Sequence, residues 1–330
     1  MISIPEFQKK ILSWYKKNGR HNLPWRKKTN QTTYRILVSE LMLQQTQVDR
    51  VIPKYTAFLK KFPTAKSLSQ ASTSEVLKEW QGLGYNRRAL NLQKASQYIQ
   101  KELKGRFPKT IEELEKLPGV GPYTARAVSV FSFNNPEVFI ETNIRRIFIH
   151  FFFSPVIASR HSAKQSRDRR VPAHAAVPRD DRSVSDDQLM PWIEKALYTK
   201  NPRMWYSALM DYGALAMKDI PNPNKKSKHY TKQSKFEGSR RYARAKLVTY
   251  LLEKKSATTK VLEDFFTTDK YLLKYQKELV SILRDLEKER KICLKSNDYE
   301  LVISIEKEIK KIKEKLNITE NKQKKIYISP

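Results

Sequence analysis

Residues 1–150 repeat one texture, in which apolar residues at helical spacing are interrupted by short turn-forming clusters. The breaks fall at 17–22, 62–65, 83–86, 107–110 and 117–122, and no convincing stretch between them alternates apolar with polar at period two. Such a region buries its core between amphipathic helices, which predicts an all-α domain of several short helices. The first run, MISIPEFQKKILSWYKKNG, reads as an amphipathic helix of the domain itself. It lacks the charged-then-apolar order of a secretory leader, and no run in the chain has transmembrane length.

Inside this helical region, LVSELMLQQTQV at 37–48 places one carboxylate, Glu40, among Leu37, Val38, Leu41, Met42 and Leu43. For an isolated run the ordinary reading is an exposed Glu on a surface stripe. If Glu40 is buried, desolvation disfavours its charged form and raises its pKa, as a general acid near neutral pH requires. A second motif, LPGVGPYTA at 117–125, sets Gly119 and Gly121 two residues apart ahead of a helix. A tight hairpin there turns backbone N–H groups outward at a helix N-terminus, where unpaired donors and the helix dipole favour a phosphate. A third, FIETNIRRIF at 139–148, brings Glu141 just before a helix that Thr142 or Asn143 is placed to cap. Such a carboxylate is ordinarily only a dipole partner; beside a buried acid it stabilises a cationic sugar.

Composition narrows the partner. The 330 residues carry a formal net charge of +31, enough to call for a polyanion, with nucleic acid first and an anionic membrane surface second. The single cysteine, Cys293, excludes an internal disulfide and any all-cysteine metal site, and the five histidines lack metal-ligand spacing. No metal is therefore assigned, and a cytoplasmic setting is expected.

The texture changes beyond residue 150. Residues 155–183 hold six Arg and one Lys in an Ala-, Ser- and Pro-rich stretch without period, expected to be a disordered insertion. Helical texture returns over 184–217, where Trp205, Tyr206, Leu209 and Met210 are expected in the core and Asp211 as a cap or bridge between helices. Residues 224–246 hold nine Lys or Arg against one Glu, interleaved with Tyr230, Phe236 and Tyr242. Aromatics among cations favour nucleic-acid contact over a solvated tail. Residues 247–330 are Lys-rich and helical. There Leu279, Ile282, Leu283 and Leu286 are expected to face Leu301, Ile305, Ile309 and Ile312 across a helical hairpin, the rival being a winged helix over 243–303 with ICLKSNDYELV as its wing.

Taken together, LPWR (23–26), SELMLQQTQVDRVIPKY (39–55), GLGYNRRALNL (82–92), LPGVGPYTARAV (117–128) and ETNIRR resemble the MutY-like adenine DNA glycosylases of the helix-hairpin-helix, endonuclease III superfamily. The resemblance runs from about Leu23 to Arg146 and resumes around 205–217. It implies two helical subdomains with the active site between them, and a monofunctional glycosylase that flips adenine from a mispair with 8-oxoguanine or guanine. By the family pattern Glu40 protonates adenine N7, Tyr123 assists, Glu141 is the second carboxylate and Asn143 supports it. Arg26, Leu43 and Gln45 line the adenine pocket, while Gln44 and Tyr85 probe or wedge the stack. Backbone contacts are expected from Gly119, Val120, Gly121 and Thr124, and from Lys225, Lys226, Lys232 and Lys235. Lyase relatives hold a lysine where this chain has Tyr123, so lyase chemistry is not expected.

Three departures accompany the resemblance. The family has Asp where this chain has Glu141, and the extra methylene displaces the charge by more than site geometry ordinarily tolerates. The family's four cluster-holding cysteines are missing, with Met217 near the place of the first, so no iron–sulfur cluster is expected and the basic 218–246 segment takes over backbone contact. The family's β-rich C-terminal module is not visible; the helical C-terminus faintly resembles a UVR-type hairpin that would bind a protein partner. The expected organisation is a glycosylase domain over 1–217, a basic segment over 218–246 and a helical region over 247–330, in a monomer bound to double-stranded DNA in the nucleoid. The alternatives are a thymine glycosylase for T·G mispairs, against which MLQQTQV argues, and a mismatch-binding protein with weak or no catalysis.

Overall fold

The structure, a computed structural model, describes residues 2–153, 183–228, 230–231, 235–254, 256–294 and 325–327. The chain divides into two units, one of 1–40, 108–116 and 120–232, the other of 41–107, 117–119 and 233–330. This is an all-α fold.

The first unit begins with α1 (Ile4–Asn18), started by a capping box in which Ser3 and Glu6 satisfy each other's backbone N–H. Phe7, Ile11 and Tyr15 form its buried face. The unit also contains the start of α2 (Thr33–Leu43), then α7 (Ile111–Glu115), α8 (Pro122–Phe133), α9 (Thr142–Phe148), α10 (Asp186–Lys195) and α11 (Pro202–Asp211). Wide π-type turns follow α9 at Ile149–Phe153 and α11 at Tyr212–Ala216. Phe7 anchors the core, its ring edge-on to Phe148, Phe152 and Trp205 at 5.3, 5.0 and 5.9 Å. Trp205, Tyr206 and Leu209 are fully buried as expected, and Met210 packs against them at the margin.

The second unit holds α3 (Val48–Lys61), α4 (Ala65–Gln70), α5 (Thr73–Trp80) and α6 (Arg87–Lys101), with Phe58, Leu68, Trp80, Leu92 and Ile99 completely buried. Thr64 with Ser67 and Ser72 with Glu75 make the capping boxes that start α4 and α5. Each expected turn up to residue 122 lies between two helices.

The C-terminal residues of this unit have their own core. α12 (Arg240–Lys254), β1 (Ser256–Thr258), α13 (Thr259–Thr267), α14 (Lys270–Leu273) and α15 (Leu279–Leu294) follow in order, and β2 (Lys325–Tyr327) pairs antiparallel with β1, Ala257 opposite Ile326. Leu247, Leu251, Leu262, Phe266, Leu279 and Ile282 fill the interior. α12 runs through the boundary expected at 246/247, and the basic segment 218–246 is itself divided between the units after residue 232. Ile292, Cys293 and Leu294 are the last turn of α15, the strand on β1 comes from 325–327, and the remainder of the expected wing lies outside the described residues. Leu279 and Ile282 are buried in this core, and Leu283 and Leu286 pack against it partly buried. The second hairpin arm, with Leu301, Ile305, Ile309 and Ile312, lies outside the described residues. So does the segment 155–183, apart from Ser183. No described helix is long and apolar enough to cross a membrane.

Candidate active site

α2 carries Leu37, Val38, Leu41 and Met42 into the interior at 1% exposure or less, and Glu40 goes with them at 8%. Burial pushes the Glu40 carboxyl up to about 8, with the neighbouring charge of Glu141 adding to the effect.

Tyr123 arrives from the hairpin. Thr110 caps α7 by accepting from the Glu113 N–H, and α8 starts at Pro122 with Gly121 at its N-cap. Between the helices Gly119 takes φ +80°, and a Cβ there would meet Asn91 Cβ at 2.5 Å, so only glycine fits. Val120 and Thr124 are buried and Gly121 is exposed. Tyr123 stands edge-on to Phe139 at 5.5 Å. Its hydroxyl is held far above the usual phenol range by burial and then by the charges of Glu40 and Glu141, so it remains a proton donor.

Glu141 corrects the expected cap. It is itself the N-cap of α9, its Oε1 accepting from the Asn143 and Ile144 N–H groups at 2.8 and 2.9 Å. Neither Thr142 nor Asn143 caps the helix, although the Asn143 amide donates to Glu141 Oε2 at 3.2 Å. The side chain curls back over its own helix start. Burial raises the Glu141 carboxyl and these N–H donors pull it back down.

Behind Glu141 lies a support that the sequence motifs do not announce. A Cβ at Gly213 would stand 2.7 Å from both Cβ and the carbonyl oxygen of Asn143, so the turn after α11 touches the backbone of α9. Arg146 donates to the Gly213 carbonyl at 3.0 Å and also to that of Met217, and the buried Asn224 donates to the Thr142 carbonyl at 3.0 Å. Gly213→Ala is expected to push the first turn of α9 aside, at about 1–3 kcal/mol of stability, and to slow chemistry more than duplex binding. Chemical denaturation and single-turnover rates beside duplex affinity check this; an unchanged rate refutes the support.

Residues expected to touch the base and the stack fall in both units. Leu43 ends α2, and Gln44 and Gln45 form the following turn, with Gln45 exposed at φ 54°. Tyr85, φ 48° and 39% exposed, tops the loop before α6. Left-handed non-glycine residues are strained and cluster at functional sites; of the four among the described residues, Gln45 is one expected to line the adenine pocket and Tyr85 one expected at the stack, the others being Lys104 and Asn134. Arg88, which carried no assigned role, joins these loops. It is buried and donates to the carbonyls of Leu41 and Met42 at 2.7 and 2.9 Å, to Gln44, and to Leu83 and Gly84 at 3.1 and 2.9 Å. Burial lowers its guanidinium to about 10, still charged at neutral pH. Arg26 is paired with the end of α11. Its guanidinium donates to both oxygens of buried Asp211, at 2.6 and 3.0 Å. Asp211 thus bridges, as expected, to Arg26 and also to Arg20.

Of the basic residues, Lys225 is exposed and Lys226 partly so in the turn Pro223–Lys226, in the first unit. Lys235 is exposed in the second, and Lys232 lies outside the described residues.

Residues 38–173 match the model of the HhH-GPD superfamily base excision DNA repair proteins. The adenine DNA glycosylase of Buchnera aphidicola subsp. Baizongia pistaciae is 42% identical over 146 residues, covering 44% of this chain and 41% of that protein. The Homo sapiens adenine DNA glycosylase is 40% identical over 154 residues, 44% of this chain and 28% of that one. The match thus spans less than half the length of these curated relatives. A solved thermostable thymine-DNA glycosylase superposes with a TM-score of 0.53 at 22% identity, covering 68% of this chain and 92% of that one, which establishes the fold. Over residues 38–173 the chain is similar to the HhH-GPD superfamily base excision DNA repair proteins and, over less than half its length, to adenine DNA glycosylases.

Proposed function

We propose that the chain is a monofunctional DNA glycosylase that hydrolyses the N-glycosidic bond of adenine mispaired with 8-oxoguanine or guanine. The observation that carries this reading is the burial of Glu40 next to Glu141, with the Glu40 carboxyl pushed up to about 8. Burial raises both carboxyls, but only Glu141 has N–H donors that favour its charged form, an arrangement that suits an acid paired with a charge stabiliser. Glu40 gives its proton to adenine N7. The C1′–N9 bond then breaks with its electron pair going to the base, and Glu141 faces the cationic sugar, braced by Asn143. Water adds at C1′ and its proton passes to the Glu40 carboxylate, restoring the acid. Tyr123 donates a hydrogen bond beside Glu40 and offers no amine for lyase chemistry.

Double-stranded DNA with a mispaired adenine is the partner, in keeping with the charge of +31. The flipped base would meet Arg26, Leu43 and Gln45, with Gln44 and Tyr85 at the stack; Gly119, Val120, Gly121, Thr124 and the lysines would meet the backbone. We take the protein to act as a monomer in the cytoplasm, at the nucleoid, with the C-terminal helices free to bind a protein. An iron–sulfur cluster needs four cysteine thiolates and this chain has only Cys293, while Met217 is completely buried in the core. The residues present do not fit a cluster, and we assign no cofactor.

Single-turnover base release from duplexes holding A opposite 8-oxoguanine, A opposite G and T opposite G tests the reading. Adenine release from the first two and no thymine release is the expected result. Tight binding to all three without release would leave a mismatch-binding protein. Thymine release would leave a T·G glycosylase.

A further inference from the structure

The loop that presents Tyr85 is gripped from the C-terminal residues. Tyr85 holds a backbone conformation unfavourable for a residue with a Cβ, so neighbouring contacts must maintain it. Arg88 braces the loop at the Leu83 and Gly84 carbonyls, and its guanidinium lies 5.5 Å from the centre of the Tyr85 ring. A second guanidinium, that of Arg241, lies 5.6 Å from the same ring and donates to the Tyr85 hydroxyl. Arg241 sits in the first turn of α12, within the same unit as Tyr85. That turn is fixed in its turn: Arg240 donates to Glu278 at 2.7 Å, to Asp285 at 2.9 Å and to Ser281 at 2.8 Å, and the Tyr242 hydroxyl donates to Asp269.

We propose that Arg241 is a positioning residue for duplex opening, through which the C-terminal module holds the Tyr85 ring as a stacking surface. The ring is 39% exposed, its hydroxyl is tied and two cations lie over it, so its position is set before a base arrives, and pre-organisation lowers the cost of presenting it. The guanidinium also leaves a positive charge beside any base stacked there, where a backbone phosphate follows. The module thereby contributes to opening without touching Glu40 or Glu141.

This inference rests on the proposed action on duplex DNA, and its test separates the two. The full chain is mixed with a duplex carrying 2-aminopurine opposite G, whose fluorescence rises on unstacking, while adenine release is measured separately. Arg241→Ala and Tyr85→Ala are each expected to reduce opening, and the double variant to be about tenfold less impaired than the product of the two. Tyr85→Phe, which leaves α12 untouched, is expected to reproduce the part of the loss due to the hydroxyl. Arg241→Lys keeps the charge and loses the planar fork; it is expected to retain the salt dependence of binding but not full opening. Independent effects, or unchanged opening in Arg241→Ala, overturn the assignment even if adenine is released. Coupled opening without adenine release overturns the glycosylase reading alone, and a chain that binds no duplex overturns both.

Discussion

Glu40→Gln is expected to abolish adenine release and, in the same protein, to stabilise the fold. Loss of a positioned general acid removes about 10²–10⁴-fold of rate. The stabilisation follows from proton linkage. In the unfolded chain this carboxyl releases its proton near 4.5, whereas in the folded chain it keeps it until about pH 8. Between those values the folded state binds the extra proton, so stability falls as pH rises through the window. At pH 7 the deficit is about 3 kcal/mol for a shift of this size. Glutamine carries no such charge, and the variant is expected to recover up to that amount. Denaturant midpoints from pH 5 to pH 9 should show a declining wild type and a flatter variant, the two separating as pH rises. Parallel curves would mean that Glu40 titrates normally, and the acid assignment would fall with them.

The same proton sets the pH dependence of catalysis. Below about pH 8 Glu40 holds the proton that the leaving base needs, and above it the rate should fall tenfold per pH unit. Glu141 is raised by burial as well, and two backbone N–H donors and the Asn143 amide offset part of that rise. A stability optimum on the acid side and an acid that must stay buried pull on one residue, and the fold accepts the cost where the chemistry needs it.

Much of this was legible in the sequence because it is local. Turns at 62–65 or 117–122 are written in the residues that break the helical period, and Glu40 stands out because its neighbours are apolar. Gly119 could be read as a hairpin glycine, although its close approach to Asn91 could not. The cap on α9 escaped because glutamate is long for an N-cap, where Asp, Asn, Ser and Thr are usual, and only the backbone path allows it to fold back. Arg88 looks like any helical arginine; its partners are carbonyl groups, which leave no trace in side-chain patterns. Gly213 is visible as a glycine, but its reason for being one is the backbone of Asn143 on another helix. In the C-terminal region the pair β1–β2 is three residues long on each side, too short for alternation to register, and its strands are distant in sequence.

Asp211→Asn is expected to be among the most destabilising single changes in the first unit, at about 3–5 kcal/mol. Asp211 is completely buried, and its carboxylate accepts from the Arg20 N–H and Nε, each at 2.7 Å, and from both terminal nitrogens of Arg26. Burial alone would raise this carboxyl, but Arg26 and Arg20 together hold it below the usual aspartate range. Its contribution is therefore complete above the unfolded aspartate value and is lost as pH falls through the lower folded one. The neutral amide would leave both arginines short of a counter-charge, Arg26 at only 13% side-chain exposure. A double-variant cycle with Arg26→Ala then decides what Arg26 is for. If Arg26 serves as an anchor for Asp211, the double variant should lose much less stability than the two single losses summed, with base release falling only as folding does. If Arg26 also meets the adenine, as its place in LPWR implies, Arg26→Ala should depress release in conditions where the protein remains fully folded. Urea denaturation beside single-turnover rates distinguishes these results, and additive stability losses would refute the anchor.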